Sequence, residues 1–187
     1  MNKMASALGA LTLITVSTMS ARSQSALPSH CKANEHAYLN AKMASIVRQK
    51  DGGYQLKAKN GKVLSICADK ASEPFGKLVY RYGAPGKVEL EHVATKALPF
   101  NIFTRSTTAR TGENILSFSK NGYTYYVVEA LGMGSGVSLM VYHKGKRVVD
   151  LFSGNEPGVD FEAGLLDLNF EKAASGIFRH KQPVDKF

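Results

Sequence analysis

Ile115-Leu116-Ser117-Phe118-Ser119-Lys120-Asn121-Gly122-Tyr123-Thr124-Tyr125-Tyr126-Val127-Val128-Glu129-Ala130-Leu131 is the stretch from which the fold can be read. Two runs rich in aromatic and β-branched residues flank Asn-Gly, a pair that accepts the positive φ angles of a tight hairpin turn. A two-residue turn here sets Phe118 opposite Tyr125 and Leu116 opposite Val127. The other face then carries Ile115, Ser117, Tyr126 and Val128. Both faces are partly apolar, which predicts a pair lying centrally in its sheet.

Three further stretches repeat the pattern. Tyr54 to Lys59 and Lys62 to Cys67 flank Asn60-Gly61, and the expected register puts Tyr54, Leu56 and Ala58 on one inward face with Val63, Ser65 and Cys67. Lys77 to Tyr82 and Lys87 to Val93 flank Gly83-Ala84-Pro85-Gly86. There Arg81 is expected to meet Glu89 or Glu91 across the solvent side. Val137 to His143 and Lys146 to Phe152 flank Lys144-Gly145. Strands are also expected near His36 to Lys42 and Phe100 to Arg105, and only Phe161 to Ala174 has spacing compatible with a short helix. Short strands at this spacing predict an all-β antiparallel sandwich or partly closed barrel built from consecutive hairpins, in a single domain over residues 26–187.

The N-terminus reads as a secretory signal over residues 1–25. Lys3 supplies the positive start, Ala5 to Val16 is apolar and uncharged, and cuts after Ser23 or Ser25 fit the small residues that follow. Cys31 lies too far downstream for lipid attachment. Loss of Lys3 and Arg22 lowers the formal charge by two from +9. The expected location is periplasmic or secreted, with no membrane span once the signal is removed. Cys31 and Cys67 both fall in the exported part. In an oxidising compartment an even count makes a disulfide the expectation, with one intramolecular connectivity open to it.

The residues that usually carry chemistry do not assemble into a motif. Gly132 to Gly136 lacks the spacing of a dinucleotide loop, the Gly-Lys-Ser/Thr of a phosphate loop, and the central Ser of a nucleophile elbow. His30, His36, His92, His143 and His180 show no metal-ligand spacing, and Glu91 and His92 point to opposite faces of a strand. Glu89 and Glu91 share a strand face and read most simply as its solvated side. No catalytic residue, metal or cofactor is therefore expected.

The basic surplus is densest at the first hairpin tip, where Lys57, Lys59 and Lys62 line one face and Lys59 opposes Lys62. That pattern suits protection of a sheet edge, or contact with an acidic partner. Nucleic acid is not an expected partner. The candidate contact residues are Lys57, Lys59, Asn60 and Lys62, then Ser135 in the Gly-rich loop, then Asn155 and Glu156 in the turn Asn155-Glu156-Pro157-Gly158.

Three phrases stand together in the first half: Cys31-x-x-x-Glu35, then Lys62-Val63-Leu64-Ser65-Ile66-Cys67, then Tyr80-Arg81-Tyr82-Gly83-Ala84-Pro85-Gly86-Lys87-Val88-Glu89-Leu90. This pattern resembles that of a group of small secreted proteobacterial proteins of unknown function, mainly over residues 31 to 91. Such proteins often carry an additional Cys shortly after the Glu. None stands there in this chain, so the resemblance implies the Cys31–Cys67 pairing, export and a β-rich fold, and it assigns no catalytic residue. The function expected from all of this is an exported, non-enzymatic binding or inhibitor protein acting on another protein, in the manner of an immunity factor. The alternatives are a domain binding an envelope polymer or small ligand through Tyr80, Tyr82, Phe118, Tyr123 and Tyr125, and an enzyme whose site is assembled from distant residues.

Overall fold

The computed structural model describes residues 27–57, 61–71, 75–109, 111–132, 135–154, 161–162 and 176–187. The segment 1–25, expected to be a signal, lies outside them. So does most of the stretch expected to hold a helix. Its first two residues are instead strand.

The chain first makes β1 (His36–Lys42) and passes through Met43 alone into β2 (Ala44–Arg48). These two strands belong to different sheets, so Met43 marks a corner between layers. β3 (Tyr54–Lys57) returns antiparallel along β2, and β4 (Val63–Ala68) is back in the first sheet beside β1. The hairpin expected around Asn60-Gly61 therefore does not form, because its two strands lie in opposite layers. The reason is local competition. β2 and β4 are equally close to β3 in sequence, but β4 is already held on both edges, between β1 and β5 (Leu78–Ala84), which leaves β2 as the partner.

From β5 onward the expected hairpins form. β5 and β6 (Lys87–Ala94) pair through Pro85-Gly86, with a register shift after Tyr82 that lengthens both strands beyond expectation. Gly83 sits at that shift, where a Cβ would come within 2.1 Å of the Lys87 carbonyl oxygen. Then β7 (Phe100–Thr108), β8 (Thr111–Lys120), β9 (Tyr123–Leu131), β10 (Gly136–His143) and β11 (Lys146–Gly154) form a five-strand meander. Phe118 opposes Tyr125 and Leu116 opposes Val127, as expected. Asn121 and Gly122 both have positive φ, and so do Lys144 and Gly145 at the last hairpin. Phe161–Glu162 forms β12 on the free edge of β1, and β13 (Phe178–His180) runs parallel to β7.

The result is two sheets, β12-β1-β4-β5-β6 and β13-β7-β8-β9-β10-β11-β2-β3, packed as a sandwich rather than closed into a barrel. Leu39, Leu64, Ile66, Leu78 and Tyr80 from the smaller sheet meet Phe100, Ile102, Leu116, Phe118, Val127 and Leu139 from the larger in the main core.

The outer face of the smaller sheet is polar yet buried. Asn40, Ser65, Arg81 and Glu91 stand in one row across β1, β4, β5 and β6. The segment from Leu27 to Glu35 lies over this row. His30 donates its backbone N–H to Ser65 Oγ, and Arg81 donates to the His30 carbonyl. Glu35 accepts two hydrogen bonds from the Arg81 guanidinium, while Arg81 Nε donates to Glu91 at 2.7 Å. The pairing of Arg81 with Glu91 is the expected one, and Glu91 is exposed, but Arg81 itself is only 2% exposed and turns also to Glu35.

Cys31 and Cys67 form a disulfide on the same face, with their Cα atoms 5.4 Å apart. It adds roughly 4 kcal/mol in the chain-entropy description. Val63, Ser65 and Cys67 consequently face the overlying segment, and Leu64, Ile66 and Ala68 face the core. This inverts the expected orientation of β4, and both of its faces are buried.

Candidate functional site

The expected contact residues divide among several places. Lys57 is exposed on β3 and Ser135 precedes β10. The register carries both to one end of the larger sheet, since Lys57 is level with Ser45 and Leu151, and Gly136 with Gly154. Ser135 donates its hydroxyl to the Gly132 carbonyl at 2.6 Å. Lys62 lies in the other layer, ion-paired with Glu89 and positioned over the Tyr82 ring. The basic face expected from Lys57 and Lys62 together is therefore not formed, because sheet switching separates them. Lys59, Asn60, Asn155 and Glu156 lie outside the described residues, and with them the expected opposition of Lys59 and Lys62.

The aromatic residues considered for ligand contact are mostly core. Tyr80 and Phe118 are buried, and Tyr125 stacks on Phe118 with centroids 4.8 Å apart. His92 stacks on the same ring at 4.2 Å, and burial holds its pKa below the ordinary 6.5. Among the described residues neither His92 Nε2 nor the Tyr80 hydroxyl has a hydrogen-bond partner. Burial also raises the Tyr80 phenol well above its ordinary value. Only Tyr123 presents a largely free ring, stacked on His143.

The outer face of the larger sheet is the contrasting surface. Alternation in β8, β9 and β10 brings Ile115, Tyr126, Val128, Met140 and Tyr142 together there as a second apolar cluster. The segment from Lys181 to Phe187 covers one half of it. Phe187 lies against Tyr126 with centroids 5.0 Å apart, and Arg105 sits over the Phe187 ring. Tyr126 donates its hydroxyl to Asp185 at 2.8 Å, and Tyr142 donates to the Lys186 carbonyl. Burial first, and then the Asp185 carboxylate, push the Tyr126 pKa up to about 12.

Among the described residues nothing covers the other half. Ile46 of β2, Leu56 of β3, Ser138 and Met140 of β10, and Asp150 and Phe152 of β11 line a groove of about 330 Å³, with Gly52, Gly53 and Arg147 at its margin. The floor is apolar because successive strands place Ile46 opposite Leu56, and Phe152 opposite both Ser138 and Ala44. Phe152 lies flat over two glycines. A Cβ on Gly136 would come within 2.3 Å of its ring, and one on Gly154 within 2.5 Å. Arg147 spans the boundary between the halves. It pairs with Asp150 at 2.7 Å, contacts the Met140 sulfur, and lies over the Tyr142 ring.

Such a groove has the physical character of a recognition surface, with apolar floor, polar margin and main-chain groups nearby. Sequence reasoning missed it. The apolar second face of β8 and β9 predicts a central place in the sheet, which they hold, while the groove lies on β2, β3, β10 and β11, where no such signal stands out. Among the described residues no three His, Cys, Asp or Glu side chains converge as metal ligands, and no helix is long and apolar enough to cross a membrane. In comparisons with known proteins, no family model, curated protein or solved structure matches this chain.

Proposed function

We propose that this chain is an exported protein-binding domain that acts outside the cytoplasm as an inhibitor of its partner, in the manner of an immunity factor that neutralises a toxin or hydrolase. The observation that carries the reading is the open half of the outer face of the larger sheet. There Ile46, Leu56, Met140 and Phe152 form an apolar floor beside the Arg147–Asp150 pair. A recessed apolar floor with polar groups at its margin is the general form of a recognition site. The disulfide supports the compartment, since such bonds persist where thiols are not kept reduced. The signal-like N-terminus adds to it.

A rigid, cross-linked scaffold suits inhibition, because an ordered contact surface loses little conformational freedom on binding. The test is capture from an envelope extract with the wild-type chain and with Ile46→Glu, followed by titration of the purified captured protein. Expected is a protein that binds the wild type and loses at least tenfold in affinity with the variant. Retention of no specific protein, with a response instead to a peptidoglycan or glycan panel, would replace this reading with polymer binding.

A further inference from the structure

We infer that His92 is a proton-operated latch between the two sheets: its neutral imidazole seats β6 on the larger sheet, and protonation unseats it. The latch is independent of the protein-binding reading. β6 ends the order of the smaller sheet among the described residues, with β5 as its paired neighbour. Two contacts tie its middle to the opposite layer. Lys120 Nζ donates to the Glu91 carbonyl at 2.6 Å. Next to it, His92 stacks on Phe118 with ring centroids 4.2 Å apart and planes 9° apart, and its ring lies 5.3 Å from that of Phe100. Phe118 stacks in turn on Tyr125. The imidazole is thus the end member of a three-ring stack that crosses from the smaller sheet into the larger.

That seat suits imidazole and not imidazolium. An imidazolium carries two N–H donors, and a buried donor needs an acceptor. Nε2 is buried without one among the described residues. The groups that face His92 are the Tyr80 phenol across from it on β5, Phe100 of β7, Phe118 and Lys120 of β8, and Tyr125 of β9 behind Phe118. None of them is an anion in acid, since burial raises both phenols, and the Lys120 cation repels a second positive charge. The carboxylates of β6 serve its other face, Glu91 bonded to Arg81 and Glu89 to Lys62. A cation over the Phe118 ring gains some attraction. Burial first, and then Lys120, outweigh it and hold the His92 pKa below 6.5. On an edge strand, a protonated ring escapes that cost by turning out to water. Doing so takes it off Phe118 and removes the seat of β6.

A depressed folded pKa means that the contribution of His92 is complete above 6.5 and is lost as pH falls through the folded value. The experiment is an NMR titration of the full chain from above 6.5 down to 4.5, the ordinary values of His92 and Glu35, with thermal unfolding over the same range. Expected is a His92 that titrates below 6.5 and loses its ring contact with Phe118 as it does so. The unfolding midpoint should fall by roughly 3 °C or more across that window. His92→Phe keeps a ring on Phe118 but takes no proton. It should abolish this fall and leave the further loss below 4.5 that belongs to Glu35. Lys120→Met should move the His92 titration up toward 6.5. Should His92→Phe not fold, the wild-type ring contact decides by itself. A His92 that titrates at or above 6.5, or that stays on Phe118 once protonated, overturns the inference. So does a midpoint that falls as far in His92→Phe as in the wild type.

Discussion

The two outer faces of the sandwich solve opposite problems. On the smaller sheet a polar row lies largely under a strap, and the Arg81 guanidinium is paired with both Glu35 and Glu91. On the larger sheet an apolar face is covered over one half by residues 181–187 and left open over the other. Asn40, Ser65 and Arg81 on the strapped face are buried and hydrogen-bonded within the chain. The open half holds apolar surface that no described residue covers. Polarity alone thus misleads here. The charged network is structural, and the apolar groove is the surface available for recognition.

The widest separation between the faces should appear with Arg81→Met. It leaves the Glu35 carboxylate, nearly as buried as its partner, without compensation. The loss should be about 3–5 kcal/mol by urea unfolding, as for other buried pairs broken on one side. Binding of a protein captured by the wild type should not change for the fraction still folded. A loss below about 1 kcal/mol would show that the strap does not depend on this contact.

Acid titration sharpens the same point. The Arg81 guanidinium, helped by the Lys32 N–H and opposed by burial, holds the Glu35 carboxyl down at about 2, below the ordinary 4.5. A depressed folded pKa means that its contribution is complete above 4.5 and is lost as pH falls toward 2. Stability measured across that window should drop steeply in the wild type and more gently in Glu35→Gln. Equal slopes would assign the acid sensitivity elsewhere.

The smallest effect is expected on the open sheet. Tyr126→Phe deletes the hydrogen bond to Asp185 while keeping the ring contact with Phe187. The cost should be about 0.5–1.5 kcal/mol. Limited proteolysis should show earlier cleavage within 181–187, with the disulfide-bound strap unaffected. Cleavage of both segments together would mean that the faces are not independent.

Much of the fold was legible where a strand and its partner are neighbours in sequence. Asn121-Gly122 and Lys144-Gly145 dictate turns through positive φ, and side chains alternating with period two then fix which residues meet. Arg81 with Glu91 was readable for the same reason. Asn60-Gly61 carried an equally strong signal, and it misled. The turn chemistry was local, but the alternative pairing of β3 with β2, and of β4 with β1 and β5, was not.

What the sequence determined by itself is the class of structure, most of the hairpin registers, and the cysteine pair, because each depends on local backbone preference or on a count of two. Tertiary structure alone decided which layer each strand joined, that Arg81 would be buried, and that residues 181–187 would cover one half of an apolar face. Those outcomes depend on contacts between segments far apart in the chain, such as His30 with Ser65 and Phe187 with Tyr126. Burial and ion pairing act through space, and no alternation along one strand records what will cover it.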